Sequence, residues 1–155
     1  MAPLMDRRRV ASESGAELVE FALILPILLL LIAGIADFAL LFHSHEVTTN
    51  AAREGARLAV LPGYEANGYA AVQGRVTSYL AAGGLTGSHT TSVAPETIDL
   101  GGGLTASGVR VTVGYTHGFL FIGPIVGLIN GTFANSLTYR TAAIMRIEIQ
   151  AVAGP

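Results

Sequence analysis

Hydrophobic and polar positions divide this chain unequally. From Leu18 to Leu41 the sequence LVEFALILPILLLLIAGIADFALL carries only two charges, Glu20 and Asp37, and none between Phe21 and Ala36. As a helix the stretch is about 36 Å long at 1.5 Å per residue, more than a hydrocarbon core of roughly 30 Å. It predicts a membrane-crossing helix, the form in which a single segment pairs its own backbone groups in lipid. Pro26 removes one helical hydrogen bond and predicts a kink rather than a break.

Beyond the apolar run the pattern turns amphipathic. Over His43–Leu61, Val47, Ala51, Leu58 and Leu61 recur at near-helical intervals, with Arg53, Glu54 and Arg57 between them, so the helix is expected to continue into water. Ala52, Gly55, Ala56 and Ala59 form a low-profile surface that allows close helix packing. It serves either as the seat for the protein's own sheet, the favoured reading, or as a surface for a neighbouring subunit. Pro62-Gly63 should stop this helix, Asn67 should cap a second one over Gly68–Ala82, and Gly83-Gly84 should end it.

Leu85–Ser92 reads as a loop, Thr91–Ala94 as a short strand that Pro95 restricts to a sheet edge, and Gly101-Gly102-Gly103 as a turn. Val109–Thr116 alternates with period two, and Leu137–Gln150 does so best, with Leu137, Tyr139, Met145, Ile147 and Ile149 on one face. Between those strands lies a second apolar stretch, Gly118–Phe133. It is too short and too rich in glycine to cross a membrane, and it is expected to close the core as a loop or short helix. The sharper alternative is contact with the outer membrane leaflet or a neighbouring subunit. The fold class expected is α+β: a long N-terminal transmembrane helix continuing into a small exported domain with a second helix and an antiparallel sheet of about three strands.

Composition narrows the function. The chain has 155 residues, 51% of them hydrophobic, with 9 basic and 11 acidic side chains and a net charge of -2. No basic patch with interleaved aromatics is available to neutralise phosphates, so no nucleic-acid partner is expected. There are no cysteines, which excludes a disulfide framework and thiolate metal sites. Every basic residue is arginine. Arg7, Arg8 and Arg9 precede the apolar run and the next is Arg53, so the positive-inside tendency puts the N-terminus in the cytoplasm and the rest outside. Met1–Gly15 is a short polar leader that is not expected to fold.

Catalytic chemistry finds little support. His43 and His45 point in different directions on a helix, and His117 has no carboxylate neighbour in sequence, so no metal site is expected. A Gly-x-Ser-x-Gly nucleophile context is missing, and the glycine triplet has no lysine or helix start after it to cradle phosphate. Neither an enzyme nor a cofactor is expected.

Two motifs carry a resemblance. Gly15-Ala16-Glu17-Leu18-Val19-Glu20-Phe21 ahead of an apolar helix looks like the processing site of type IV pilin-like proteins. Together with Ala51-Ala52-Arg53-Glu54-Gly55-Ala56-Arg57, the stretch from Gly15 to Val60 resembles the TadE-like pseudopilins of tight-adherence (Tad/Flp, type IVc) pilus systems. The resemblance implies that a membrane-embedded prepilin peptidase cuts between Gly15 and Ala16. It implies a leader of residues 1–15, a transmembrane and assembly helix of residues 16–61 with its membrane part at about 18–41, and an exported pilin-like domain of residues 62–155.

Glu20 would be the fifth residue of the processed chain, one helical turn from the new amine at Ala16. Its carboxylate could pair there or with a neighbour's amine and, beside Phe21, set the assembly register. The plainer reading is that Glu17 and Glu20 mark the water-facing start of the helix. Ala16 is smaller than the usual first residue of processed pilins, which leaves N-methylation open. The implied role is a minor pilin-like subunit that works with the inner membrane, the prepilin peptidase, other pilin and pseudopilin subunits and the Tad secretion machinery. The alternative is an unprocessed single-pass membrane protein whose exported domain binds an envelope partner or ligand.

Overall fold

The apolar run lies within one helix, α1 (Arg7–Ala59), that spans both the membrane-like and the amphipathic stretches without interruption. The computed structural model describes residues 7–128 and 135–148. From Gly15 to Ala59 α1 is long and apolar enough to cross a membrane, with Pro26 inside it. Leu23, Ile27, Leu31, Ile35 and Phe42 are exposed along it. The helix starts upstream of Gly15, which corrects the expectation of an unfolded leader for residues 7–14. No proline interrupts that stretch, and elongating an existing helix adds a hydrogen bond per residue with no new nucleation cost.

After α1 the chain turns at Gly63, in the left-handed region at φ 91°, and makes one 3-10 turn at Glu65–Asn67. The second helix, α2, is Ala70–Ala82. Asn67 does not cap it: the capping position is Tyr69, itself left-handed at φ 60°, with no side-chain cap. Gly68 and Tyr69 together reverse the chain, and the ring of Tyr69 packs against the core, which offsets the backbone strain. The other end follows the sequence expectation. Gly84 at φ 79° closes a Schellman motif in which Leu85 N–H donates to Leu80 O (2.9 Å) and Gly84 N–H to Ala81 O (3.0 Å).

The sheet is antiparallel, in the order β1-β2-β3, with β1 His89–Gly101, β2 Leu104–Gly118 and β3 Ser136–Arg146. Strand β1 is much longer than the Thr91–Ala94 segment expected, and it begins inside the expected loop. It is an edge strand, where polar residues and Pro95 are tolerated because only one side is paired. Gly101, Gly102 and Gly103 all take positive φ and form the β1–β2 turn, with Gly101 N–H donating to Asp99 Oδ1. Across these strands Arg110 grips Glu96 through two hydrogen bonds, of 3.0 and 2.6 Å, which hold the Glu96 carboxyl below its ordinary range. β3 ends at Arg146, short of the expected Gln150: Ile147 and Glu148 lie beyond the strand, with Ile147 N–H donating to Ser107 O (2.9 Å), while Ile149 and Gln150 lie outside the described residues.

One face of the sheet meets the two helices. Val109, Val111, Val113 and Tyr115 of β2 pack on Ala51, Ala52, Ala56 and Ala59 of α1 and on Val72, Val76 and Leu80 of α2. The opposing partners follow from register: Tyr115 faces Tyr139, Val113 faces Thr141, and Val109 faces Met145. Gly55 sits where all three elements converge. A Cβ placed there would lie 2.7 Å from Val76 Cγ2 and 3.2 Å from Val111 Cγ1.

Overpacking such a site costs about 1–3 kcal/mol, whereas alanine's better helix propensity returns only ~1 kcal/mol. Gly55→Ala is therefore expected to lower the thermal midpoint of the purified chain in detergent. Gly34→Ala, whose Cβ would meet nothing within 4 Å, is not. Equal midpoints for the two variants would contradict this packing.

Candidate functional site

The residues singled out from the sequence fall into two groups at opposite ends of α1. Gly15 and Ala16 are helical and exposed, and a Cβ added at Gly15 would meet no atom within 4 Å. Glu20 and Phe21 are exposed as well, and Glu20 makes no hydrogen bond or ion pair among the described residues. Ala52, Gly55, Ala56 and Ala59 lie about 60 Å further along the helix at 1.5 Å per residue. They are buried against this chain's own α2 and β2. The structure does not bring the two groups together.

Between them lies a feature that the residue pattern did not show. Asp37, inside the apolar run, is completely buried. Its carboxylate accepts hydrogen bonds from three successive backbone amides: Leu120 N–H to Oδ1 (3.0 Å), Phe121 N–H to both oxygens (3.2 and 3.0 Å), and Ile122 N–H to Oδ2 (2.7 Å). These amides lead into a short helix, α3 (Ile122–Leu128), whose first turn would otherwise lack acceptors. Asp37 thus clamps the second apolar stretch to the side of α1.

This corrects the expectation that Gly118–Phe133 closes the core. Its described residues from Phe119 to Gly127 are absent from the core cluster and from the side chains packed on it. The clamp draws the segment down α1, away from the Val and Ala core, and leaves Leu120 63% and Phe121 48% exposed. Residues 129–134 lie outside the described residues.

About two and three turns above Asp37, α1 presents Ser44 and Thr48, both buried, to the end of the sheet. Ser44 Oγ donates to Leu41 O (2.8 Å), and Thr48 Oγ1 donates to Ser44 O (2.6 Å). Tyr139 O–H donates to Ser44 Oγ at 2.9 Å. With the Ser44 proton committed to Leu41, the 3.3 Å contact between Ser44 Oγ and His117 Nδ1 is satisfied by a proton on Nδ1. His117 Nε2 is then a buried acceptor with no partner, and the ring packs edge-on to Phe119 at 5.5 Å.

This geometry ties β2 and β3 to α1 and does not activate a nucleophile. The Ser44 hydroxyl proton points to a carbonyl, the imidazole donates rather than accepts, and the Asp37 oxygens are occupied by amides. Among the described residues no group of three or more His, Asp or Glu side chains gathers as a metal site.

Ala33, Asp37, Ser44, Thr48, Ala51 and Ala52 form one stripe of α1 that is buried from the membrane run to the core. Apolar periodicity alone puts Val47, Ala51, Leu58 and Leu61 on the buried face, and Leu61 is in fact 47% exposed. The signal that locates the true face is the spacing of small and small polar residues, which let the sheet approach the helix backbone. No curated protein and no solved structure matches the chain. Residues 15–57 match the family model described as TadE-like protein, the family that the Gly15–Phe21 and Ala51–Arg57 motifs resemble.

Proposed function

We propose that the protein is a minor pilin-like subunit needed to assemble a Tad-type pilus. The observation that carries this reading is the TadE-like match, which begins at Gly15 and covers the whole apolar part of α1. In this reading the chain is a single-pass protein of a bacterial inner membrane. Arg7, Arg8 and Arg9 stay in the cytoplasm and the α2–sheet domain is exported. A prepilin peptidase removes the leader after Gly15, and the protein acts structurally, without catalysis, alongside other pilin and pseudopilin subunits and the Tad secretion machinery.

The surface of α1 suits this role. Its large apolar side chains are exposed, and Ile27, Leu31, Gly34, Ile35, Phe38 and Phe42 line a shallow apolar groove on it. Gly34 leaves room for another helix to approach, since no atom lies within 4 Å of its added Cβ position. Glu20, exposed and unpaired among the described residues, is free to meet a cationic amine at Ala16 of its own chain or a neighbour's. Pairing offsets much of the penalty of holding a carboxylate near hydrocarbon.

Deleting the gene should remove Tad pili from the cell surface, and the wild-type gene should restore them. Glu20→Ala changes an exposed side chain, so it should leave the protein's level and membrane insertion intact while restoring few pili in electron micrographs. Full piliation in the deletion strain would reject the assembly role. Full rescue by Glu20→Ala would reject the register role of the carboxylate alone.

A further inference from the structure

We infer that the segment from Phe119 to Leu128 is a shallow wedge in the outer leaflet of the membrane, contacting lipid acyl chains, with Asp37 as its buried anchor. The inference rests on α1 crossing the membrane. A hydrocarbon core takes about 20 helical residues, so a span that starts just after Glu20 ends near Leu40. Asp37 then lies roughly 4.5 Å inside the outer boundary, at 1.5 Å per residue, and the amides it holds lie at the same depth. Non-helical backbone at that depth needs acceptors supplied by protein, and the Asp37 carboxylate supplies them to Leu120, Phe121 and Ile122.

The side chains fit that depth. No charged residue occurs from Gly118 to Phe133. Leu120 and Phe121 are exposed, as are Phe38, Leu40 and Phe42 on the turns of α1 that flank Asp37. Lipid is favoured as the occupant because the Asp37 clamp sets these side chains at the depth of the hydrocarbon core wherever α1 crosses it. The wedge also accounts for a carboxylate in a membrane helix. The clamp shields both oxygens from lipid and fixes how far the exported domain stands from the bilayer.

The absence of cysteines allows single labels on the full chain. Leu120→Cys, Ile32→Cys on the span and Leu104→Cys at the start of β2 all replace exposed side chains. Each would carry an environment-sensitive fluorophore in phosphatidylethanolamine–phosphatidylglycerol vesicles. Nitroxide-bearing lipids should quench the label at position 120 several-fold more than the one at 104, and aqueous iodide should do the reverse. Adding Asp37→Ala should raise iodide access at 120.

The wedge is overturned if the label at 120 behaves like the one at 104 while the label at 32 is lipid-quenched. It is equally overturned if the label at 120 is shielded from both quenchers, since protein then covers it. Iodide access at position 32 would instead refute the membrane span on which the wedge depends.

Discussion

Asp37→Ala is expected to release α3 from α1 while leaving the sheet and its helical seat folded. The substitution removes the acceptor for three part-buried amides, at Leu120, Phe121 and Ile122. Leaving a buried donor unsatisfied costs about 1–3 kcal/mol for each group, and bonds to a charged acceptor lie at the upper end. Because about 1.4 kcal/mol is a factor of ten in an equilibrium, hydrogen exchange at these amides should accelerate at least about tenfold.

Amides of Val109, Val111 and Val113 should be unaffected, since their packing is on α2 and on the Ala51–Ala59 part of α1. Asp37→Asn keeps one acceptor oxygen and should fall between wild type and Asp37→Ala. Mass-spectrometric exchange on the full chain in lipid nanodiscs reads all three. Unchanged exchange at residues 120–122 in Asp37→Ala would show that the clamp does not hold the segment.

The elements legible in the sequence are those whose packing demands one kind of solvent. The Leu18–Leu41 run announced a membrane-compatible helix because nothing else satisfies so many apolar side chains. Strands β2 and β3 announced themselves because one face of each meets the helices and the other does not. Gly83-Gly84 gave the end of α2, since a Schellman turn needs a left-handed residue at Gly84.

Other elements depend on partners distant in the chain. Strand β1 was mostly hidden because an edge strand need not alternate cleanly, and its polar residues resemble a loop. Asn67 looked like a helix cap, but the chain reversal at Gly68 and Tyr69 moves the helix start beyond it. Asp37 was legible only as a charge in an apolar run. Its partners come from residues more than 80 positions later, and backbone amides leave no mark in sequence. The buried Ser44–Tyr139–His117 contacts were hidden for the same reason.

The proposed processing site turns on a single residue. Gly15→Leu is expected to abolish cleavage, so that the full-length chain accumulates in the membrane with its leader attached. Gly15 lies within α1, so a peptidase cutting after it would have to unwind that turn to reach the peptide bond. Glycine makes this easier, because within a helix it is less stable than alanine by roughly 0.5–1 kcal/mol and accepts extended backbone freely. Leucine reverses both properties and adds a bulky side chain at the bond to be cut.

The structure makes the result interpretable. Gly15 is exposed and a Cβ there meets nothing, so the substitution disturbs no packing in the folded chain. A loss of cleavage would then report on recognition and not on folding. Mass spectrometry of the wild-type protein's N-terminus, in cells with and without the prepilin peptidase, reads the proposed processing directly. A chain that begins at Ala16 only where the peptidase is present is the predicted result. A wild-type chain still carrying Met1–Gly15 in cells that make the enzyme would contradict it.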